Sequence, residues 1–234
     1  MPTIPGNNTI LPHLKQRAMN HLADYVTEVQ IFIGDIKPDY LEAGPIAFDL
    51  ETDPCNFDAP LYWRSARPRI VTVYSPESGK AGIVQLKECI EPVHLIELLE
   101  SSPLYAHHAL FDLRFLIHYY DFMPLQKVIC TRLLSKAAEN YGVKFSSHSL
   151  KDLLAHFHLA YLDKTLALSD WTQALTQTQV EYALKDVIYL PDLTKRLSGY
   201  IPEDSPLAFS LETMWIALPE IARLQTLDIN PCGR

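Results

Sequence analysis

Several features that define other classes of protein are missing from this 234-residue chain. No apolar run approaches the roughly 20 residues that a membrane-spanning helix needs, and no cationic leader precedes an apolar segment. The cysteines, Cys55, Cys89, Cys130 and Cys232, are scattered without a CxxC or Cys/His cluster, which argues against a zinc site or a disulfide framework. We therefore expect a cytoplasmic protein with reduced thiols.

An excess of positive charge is also missing, since the formal net charge is −8. Phosphate binding generally depends on surplus Lys and Arg, so this balance at first argues against a nucleic-acid partner. Divalent cations bound by several carboxylates would cancel part of this charge and reverse the local field at their site. Net charge alone therefore does not decide the substrate.

The length and the composition, with 48% hydrophobic and 21% charged residues, fit one sizeable core with an appendage. Short β-rich runs between turn residues predict strands at Val29 to Ile33, Pro45 to Thr52, Arg69 to Tyr74, Ala81 to Gln85, Leu104 to Ala106 and Lys127 to Ile129. The first four follow one another and predict a meander, with a long loop between the second and the third. The later strands alternate with helices, which predicts parallel pairing and an α/β fold.

Helical patterns predict helices at Pro12 to Thr27, Val93 to Glu100, Leu110 to Tyr120 and Thr131 to Asn140. Two further helices start at capping-box patterns, Ser149-Leu-Lys-Asp152 and Thr176-Gln-Thr-Gln179, and the second is predicted to reach about Gly199. A break at Tyr200 to Pro206 separates it from a last helix, Leu207 to Asp228, which we expect to be interrupted near Pro219.

Two carboxylates, Asp49 and Glu51, lie two positions apart in the apolar run Phe48-Asp-Leu-Glu-Thr52. Side chains alternate faces along a strand, so both acids share one face while Phe48 and Leu50 enter the core. Like charges held this close repel unless one takes a proton or a cation lies between them. Hard oxygen ligands of this kind predict Mg²⁺ or Mn²⁺.

Two more acids follow in helical contexts. Asp112 falls early in a predicted helix, where the helix dipole favours a carboxylate. Tyr182 and Asp186 are four residues apart and therefore share one helical face, so a phenol and a carboxylate can address the same point. Each feature alone is more often a solvated acid or a packed tyrosine. Together they can converge four carboxylates on two metals.

The order of these motifs resembles the tyrosine-bearing subgroup of the DEDD superfamily of 3′–5′ exonucleases. Phe48-Asp-Leu-Glu-Thr52 is similar to the first motif, Ala106-His-His-Ala-Leu-Phe-Asp112 to the second and Tyr182-Ala-Leu-Lys-Asp186 to the third. Ser149-Leu-Lys-Asp-Leu153, Leu162-Asp-Lys-Thr-Leu166 and Ser169-Asp-Trp171 resemble segments before the third motif in proofreading domains of family A DNA polymerases and in ribonuclease D.

The resemblance implies a ribonuclease H-like mixed sheet flanked by helices. It divides the chain into a leader and helix, residues 1–27, an exonuclease domain, residues 28–199, and a C-terminal helical extension, residues 200–234, which resembles the junction between exonuclease and polymerase. Two positions depart from the family pattern: His107-His108 replaces the usual His-Asn, and Cys130-Thr131 replaces the usual Asp-Thr. Neither departure removes an expected metal ligand.

The resemblance also implies a catalytic set of Asp49, Glu51, Asp112, Tyr182 and Asp186. By analogy, one metal ion held by Asp49, Glu51 and Asp186 activates the attacking water. A second, held by Asp49 and reached by Asp112 partly through water, stabilises the leaving 3′ oxygen. Tyr182 orients the attacking water, and the products are 5′-mononucleotides.

Substrate contacts are expected from residues near these motifs, namely Leu50, Thr52, His107, His108 and Phe115, with Arg114, Lys151 and Lys164 as further candidates for phosphate binding. For each cation a solvated surface position is at least as common. Single-stranded 3′ ends suit such a site, because unstacked bases can lie on apolar and aromatic side chains.

The junction-like tail favours DNA over RNA as substrate and a DNA polymerase as partner or parent chain. An exoribonuclease similar to ribonuclease D is the alternative. A non-catalytic nucleic-acid-binding module with the same fold would be expected to lose at least one of the four acids, and all four are present. A phosphatase with an Asp nucleophile would require DxD in the first motif, where this chain has Glu51.

Overall fold

A mixed six-stranded sheet forms the centre of the computed structural model, which describes residues 22–42, 44–53 and 62–227, except for the side chains of Lys164 and Leu168. The strands are β1 (Glu28–Ile33), β2 (Ile46–Asp53), β3 (Arg67–Ser75), β4 (Lys80–Gln85), β5 (Leu104–Ala106) and β6 (Val128–Cys130). All six predicted strands are confirmed, with bounds that differ by no more than two residues.

The strand order is β1-β4-β3-β2-β5-β6. Strands β2, β3 and β4 form an antiparallel meander, as predicted, whereas β1 pairs with β4 in parallel and so does not belong to it. Strands β5 and β6 run parallel to β2, which confirms the pairing predicted from the alternation of strands and helices. The carboxyl ends of β2, β5 and β6 therefore lie at one edge of the sheet, where open α/β sheets commonly bind their ligands.

Helices flank the sheet. They are α1 (Val93–Ser101), α2 (Leu110–Tyr120), α3 (Thr131–Ala138), α4 (Leu150–His156), α5 (Gln177–Ile188), α6 (Leu190–Ser198) and α7 (Pro206–Thr226), with short 3₁₀ helices at Glu139–Tyr141 and Lys164–Leu168. Helix α5 packs on β2 and β3, and α7 packs on α2 and β6. In the described part of the chain, no helix combines the length and the apolar character needed to cross a membrane.

Three helix predictions need correction. The helix expected to run from Gln177 to Gly199 is two helices, because Pro191 has no amide hydrogen for the ladder and a new helix starts around it. The last helix, by contrast, continues through Pro219, since Leu218 and Ala222 on either side are buried and hold both halves in place. The helix predicted at Pro12 to Thr27 lies mostly outside the described residues, and its last part, from Leu22, is a turn.

The two predicted capping boxes differ. At the start of α5, Thr176 accepts from the amide of Gln179 while the Gln179 side chain accepts from the amide of Thr176, so the box is complete. At the start of α4, Ser149 accepts from the amide of Asp152, but the Asp152 carboxylate binds hydroxyl groups instead of returning to the Ser149 amide. The amide of Ser149 donates to Ser147 Oγ.

Candidate active site

Three carboxylates from two elements meet at the end of β2. Asp49 and Glu51 lie on β2, Asp186 lies on α5, and one carboxylate oxygen from each falls within 4.8 Å of the others. Glu51 and Asp186 are 8% and 4% exposed, and Asp49 is half-buried. Three anions this close and this poorly solvated repel strongly, so the arrangement fits a bound cation.

The local structure of β2 explains the two carboxylates on that strand. Phe48 is completely buried on the core side. The alternation of side chains then places Asp49 and Glu51 together on the other face. The register with β3 shifts between Glu51 and Thr52, so the regular ladder is interrupted at the end of the strand that carries the two acids.

Asp112 faces this group from the first turn of α2. Its side chain is 1% exposed, and the amide of Leu50 donates a hydrogen bond to the carboxylate. Burial, followed by the charge of Asp49, raises the pKa of Asp112 well above its usual range. Among the described residues no donor satisfies Asp112 Oδ1. A buried carboxylate oxygen without a donor, next to a second carboxylate, fits a divalent cation between them.

Tyr182 lies one turn before Asp186 on α5 and donates a hydrogen bond to its carboxylate. Burial, followed by the charges of Asp186 and Glu51, raises the pKa of the phenol above its ordinary value. The phenol therefore stays protonated at neutral pH. A protonated phenol can orient a water molecule by hydrogen bonding.

A cavity of about 630 Å³ opens over Asp49, Glu51, Tyr182 and Asp186, whereas Asp112 lies behind its wall and does not line it. It is lined by Asp49, Leu50, Glu51, Thr52, His107, His108, Phe111, Arg132, Ser147, His148, Ser149, Leu150, Ala167, Tyr182 and Asp186. A larger groove of about 1000 Å³ lies among α3, α6 and α7 but contains none of the motif carboxylates. We therefore assign the chemistry to the smaller cavity.

Residues 26–201 match the sequence model of a protein family that is described as 3′-5′ exonuclease. The match covers well over half of the chain and includes all three motifs. The chain belongs to this 3′–5′ exonuclease family. The DEDD resemblance is thereby confirmed, and the protein is a hydrolytic nuclease.

Solved structures support this assignment. NrnC from Brucella melitensis is 27% identical, with a TM-score of 0.73 over 88% of this chain and 96% of that one. RNase D from Escherichia coli, at 20% identity, has a TM-score of 0.56 over 81% of this chain and 46% of that one, and shows the shared fold. The catalytic core of RRP6 from Trypanosoma brucei, at 18% identity, has a TM-score of 0.60 over 76% of this chain and 46% of that one. No curated protein matches the chain.

Four of the five predicted substrate contacts of this exonuclease line the cavity, namely Leu50, Thr52, His107 and His108. His107 Nδ1 lies 2.9 Å from the hydroxyl of Thr131, which fixes the orientation of the ring. The fifth prediction was wrong: Phe115 is completely buried. Phe111 and Phe115 lie one turn apart on the same face of α2, with ring centroids 5.0 Å apart. Phe111, in the first turn, reaches the cavity, whereas Phe115, one turn farther along the helix, lies in the core.

Of the three cations predicted as phosphate contacts, the two whose side chains are described, Arg114 and Lys151, do not line the cavity. Arg114 Nε donates to the carbonyl of Leu110, and its guanidinium lies 4.6 Å from the ring centroid of Trp63. Lys151 lies over the exposed ring of Tyr161 at 5.4 Å. The side chain of Lys164 does not belong to the part of the chain that the structure describes.

Other residues of the cavity wall, chiefly Arg132 and His148, were not predicted from the sequence. Arg132 lies in the first turn of α3, two residues past the end of β6 and at the edge where β2 and β5 also end, so its position in the topology was the available signal. His148 has no such signal. Its ring is held by the hydroxyl of Ser135, 2.9 Å from Nδ1, and by Glu139, whose carboxylate is 3.6 Å from Nε2.

His108 has a left-handed backbone, with φ of 63°. Asn and His tolerate this conformation better than most residues, which accounts for His at a position where the family commonly has Asn. Partial burial, followed by the charges of Arg132 and Arg114, lowers the pKa of His108 to about 4. The imidazole is therefore uncharged at neutral pH and can both donate and accept hydrogen bonds.

Proposed function

We propose that this exonuclease removes nucleotides from the 3′ end of short single-stranded oligonucleotides with two bound divalent ions, and that it cleaves RNA in preference to DNA. The three carboxylates within 4.8 Å of one another carry the metal-dependent part of the proposal. The proposed preference for RNA is supported by the described activities of similar proteins. It replaces the prediction from the sequence that DNA is the preferred substrate.

The positions of the carboxylates support two ion sites. Asp49, Glu51 and Asp186 form the first site, and Asp49 together with the unsatisfied oxygen of Asp112 forms the second. When bound, Mg²⁺ or Mn²⁺ supplies an activated water and stabilises the charge on the leaving 3′ oxygen. Support for divalent ions also comes from a structure of Brucella melitensis NrnC with bound Mg²⁺. The amide of Leu50 holds Asp112 in place.

Tyr182 orients the attacking water. Its hydrogen bond to Asp186 fixes the phenol beside the first site, and its raised pKa keeps the hydroxyl protonated. A protonated phenol can hydrogen-bond a water molecule and restrict its direction of approach to the phosphorus, which lowers the entropic part of the barrier.

Other residues of the cavity wall bind the rest of the strand. Arg132 contacts a phosphate, because its guanidinium is the charged donor of the wall and matches phosphate oxygens geometrically. Phe111 offers aromatic surface to a nucleobase. Neutral His108 adds a hydrogen bond to sugar or base.

The substrate class is argued from relatives. A structure of Brucella melitensis NrnC bound to pGG, 28% identical to this chain over 85% of its length, favours short oligonucleotides. The solved RNase D is described as an exoribonuclease, which favours RNA as the substrate. The domain family, which is named for DNA polymerase, supports DNA as the second candidate, with a polymerase as partner.

The test compares 5′-labelled RNA and DNA of one sequence, as dinucleotides and as longer strands, with Mg²⁺, Mn²⁺ or EDTA. We expect fastest loss of the 3′ nucleotide from short RNA, no loss in EDTA, and loss of activity in Asp186→Asn. Asp192→Asn, on the neighbouring helix, is the matched control. Faster cleavage of long DNA would contradict the proposed substrate, and cleavage in EDTA would contradict the use of metal ions.

A further inference from the structure

A short segment, residues 169–173, runs beside the helix that carries Tyr182 and Asp186, and we call it the strap. Trp171 in the strap is 2% exposed, and its ring centroid lies 6.1 Å from that of Tyr182. A buried aromatic ring at this distance limits the positions open to the phenol, because close-packed side chains move together. The position of the strap therefore influences the position of the phenol.

Gln179 connects the strap to the start of α5. It is buried, and its Oε1 accepts from the amide and the hydroxyl of Thr176 at 3.0 and 2.9 Å, which completes the capping box. Its Nε2 donates to the carbonyl of Asp170 at 2.9 Å and to the hydroxyl of Ser169 at 3.3 Å. The side-chain oxygen of Gln179 thus caps helix α5, whereas its side-chain nitrogen binds the strap.

A second glutamine holds the other end of the strap. Gln85, on β4 and 6% exposed, donates from Nε2 to the carbonyl of Gln173 at 2.8 Å. Since β4 belongs to the sheet that carries Asp49 and Glu51, the strap is fixed both to the sheet and to α5. A buried side-chain amide whose hydrogen bonds are all made holds the segments that it connects in one arrangement.

We propose that Gln179 is a positioning residue for catalysis as well as a helix cap: through the strap it holds Trp171 against Tyr182 and so aligns the phenol with the carboxylates of β2. This inference rests on the proposed role of Tyr182. A small displacement of the phenol slows the reaction without removing a metal ligand or a substrate contact.

Gln179→Glu separates the two functions. A carboxylate keeps an oxygen that accepts from the Thr176 amide, and Glu is a natural partner in a capping box. It has no hydrogen to donate when ionised, so two acceptors then face each other at the carbonyl of Asp170. Thr176→Ala is the opposite change, since it removes the capping hydroxyl and leaves the Gln179 nitrogen on the strap.

The experiment measures kcat, KM and Tm with Mn²⁺ and bis(p-nitrophenyl) phosphate, a probe with neither ribose nor base. For Gln179→Glu we expect kcat to fall about tenfold with KM nearly unchanged. For Thr176→Ala we expect a Tm lower by a few degrees and a normal kcat. At about pH 6, where a buried carboxyl begins to take up its proton, kcat of Gln179→Glu should recover relative to the wild type.

Gln85→Met tests the same connection without a new charge, and keeps the inference testable if Gln179→Glu does not fold. It should also lower kcat several-fold at constant KM. A normal kcat in Gln179→Glu, or an equal loss of kcat in Thr176→Ala, would overturn the inference and leave the proposed function intact. A wild type that cleaves neither this probe nor the labelled oligonucleotides would overturn the proposed function and, with it, this inference.

Discussion

The carboxylate of Asp112, buried in the first turn of α2, faces Asp49 on β2, and its Oδ1 has no donor among the described residues. Burial of two neighbouring negative charges destabilises a folded protein unless a cation compensates. This pair therefore links the stability of the protein to the metal that its chemistry needs.

Asp112→Asn should stabilise the metal-free protein while abolishing activity. Removing the charge relieves repulsion from Asp49, so we expect the free energy of unfolding in EDTA to rise by about 1 to 2 kcal/mol. The variant should lose the part of the thermal stabilisation by Mg²⁺ that comes from the second site, and its activity should fall about 100-fold or more. Thermal unfolding with Mg²⁺ and with EDTA measures both.

Asp121→Asn is the control for this change, because Asp121 lies at the exposed C-terminus of the same helix and its left-handed backbone accepts Asn. It should leave stability, Mg²⁺ response and activity close to those of the wild type. Equal stabilisation of both variants in EDTA would show that the repulsion between Asp112 and Asp49 is not the cause.

Tyr182→Phe should lower kcat by about 10- to 100-fold while Mg²⁺ still stabilises the protein, because the phenol orients water and is not a metal ligand in this account. The raised pKa keeps the phenol protonated, so the shape of the pH–rate profile should not change. Tyr161→Phe, at an exposed ring, is the control. A variant that loses the Mg²⁺ response would make Tyr182 part of the metal site.

Arg132→Gln should raise KM for a labelled oligonucleotide about tenfold with a smaller change in kcat, since one charge-assisted hydrogen bond to phosphate is lost. The salt dependence of KM should also weaken, because fewer phosphate charges are neutralised. Arg196→Gln, away from the cavity on α6, should change neither quantity. An unchanged KM in Arg132→Gln would remove this residue from the substrate site.

Because the backbone of His108 is left-handed, the stability of the protein depends on the shape of the side chain at this position. We expect His108→Asn to keep the stability of the wild type and His108→Val to lose about 1 to 2 kcal/mol, because a β-branched side chain clashes in this conformation. Denaturant unfolding measures both. Equal stability of the two variants would contradict the assigned backbone.

The sequence predicted those elements that local chemistry determines. Every strand was found from its apolar run, and the complete capping box at Thr176 started α5 where it was expected. The β2 alternation likewise placed Asp49 and Glu51 on one face, and the four-residue spacing placed Tyr182 beside Asp186.

What the sequence did not predict depends on tertiary packing. Pro219 was predicted to interrupt the last helix, but its buried neighbours keep it inside α7. Pro191 lies where one helix ends and α6 begins, although the sequence pattern predicted a single continuous helix there. Phe115 and Phe111 are both aromatic and near the second motif, and only the packing of α2 decides which one reaches the cavity. Arg132 lies at the site because of the order of the strands in the sheet, and this order cannot be predicted from a local sequence pattern.

The central claim is that Asp49, Glu51, Asp112 and Asp186 hold two catalytic ions. Anomalous diffraction from a crystal containing Mn²⁺ tests it most directly. The account predicts two peaks about 4 Å apart, one among Asp49, Glu51 and Asp186 and one between Asp49 and Asp112. Only one peak, or peaks away from these carboxylates in a crystal whose enzyme is active, would contradict it.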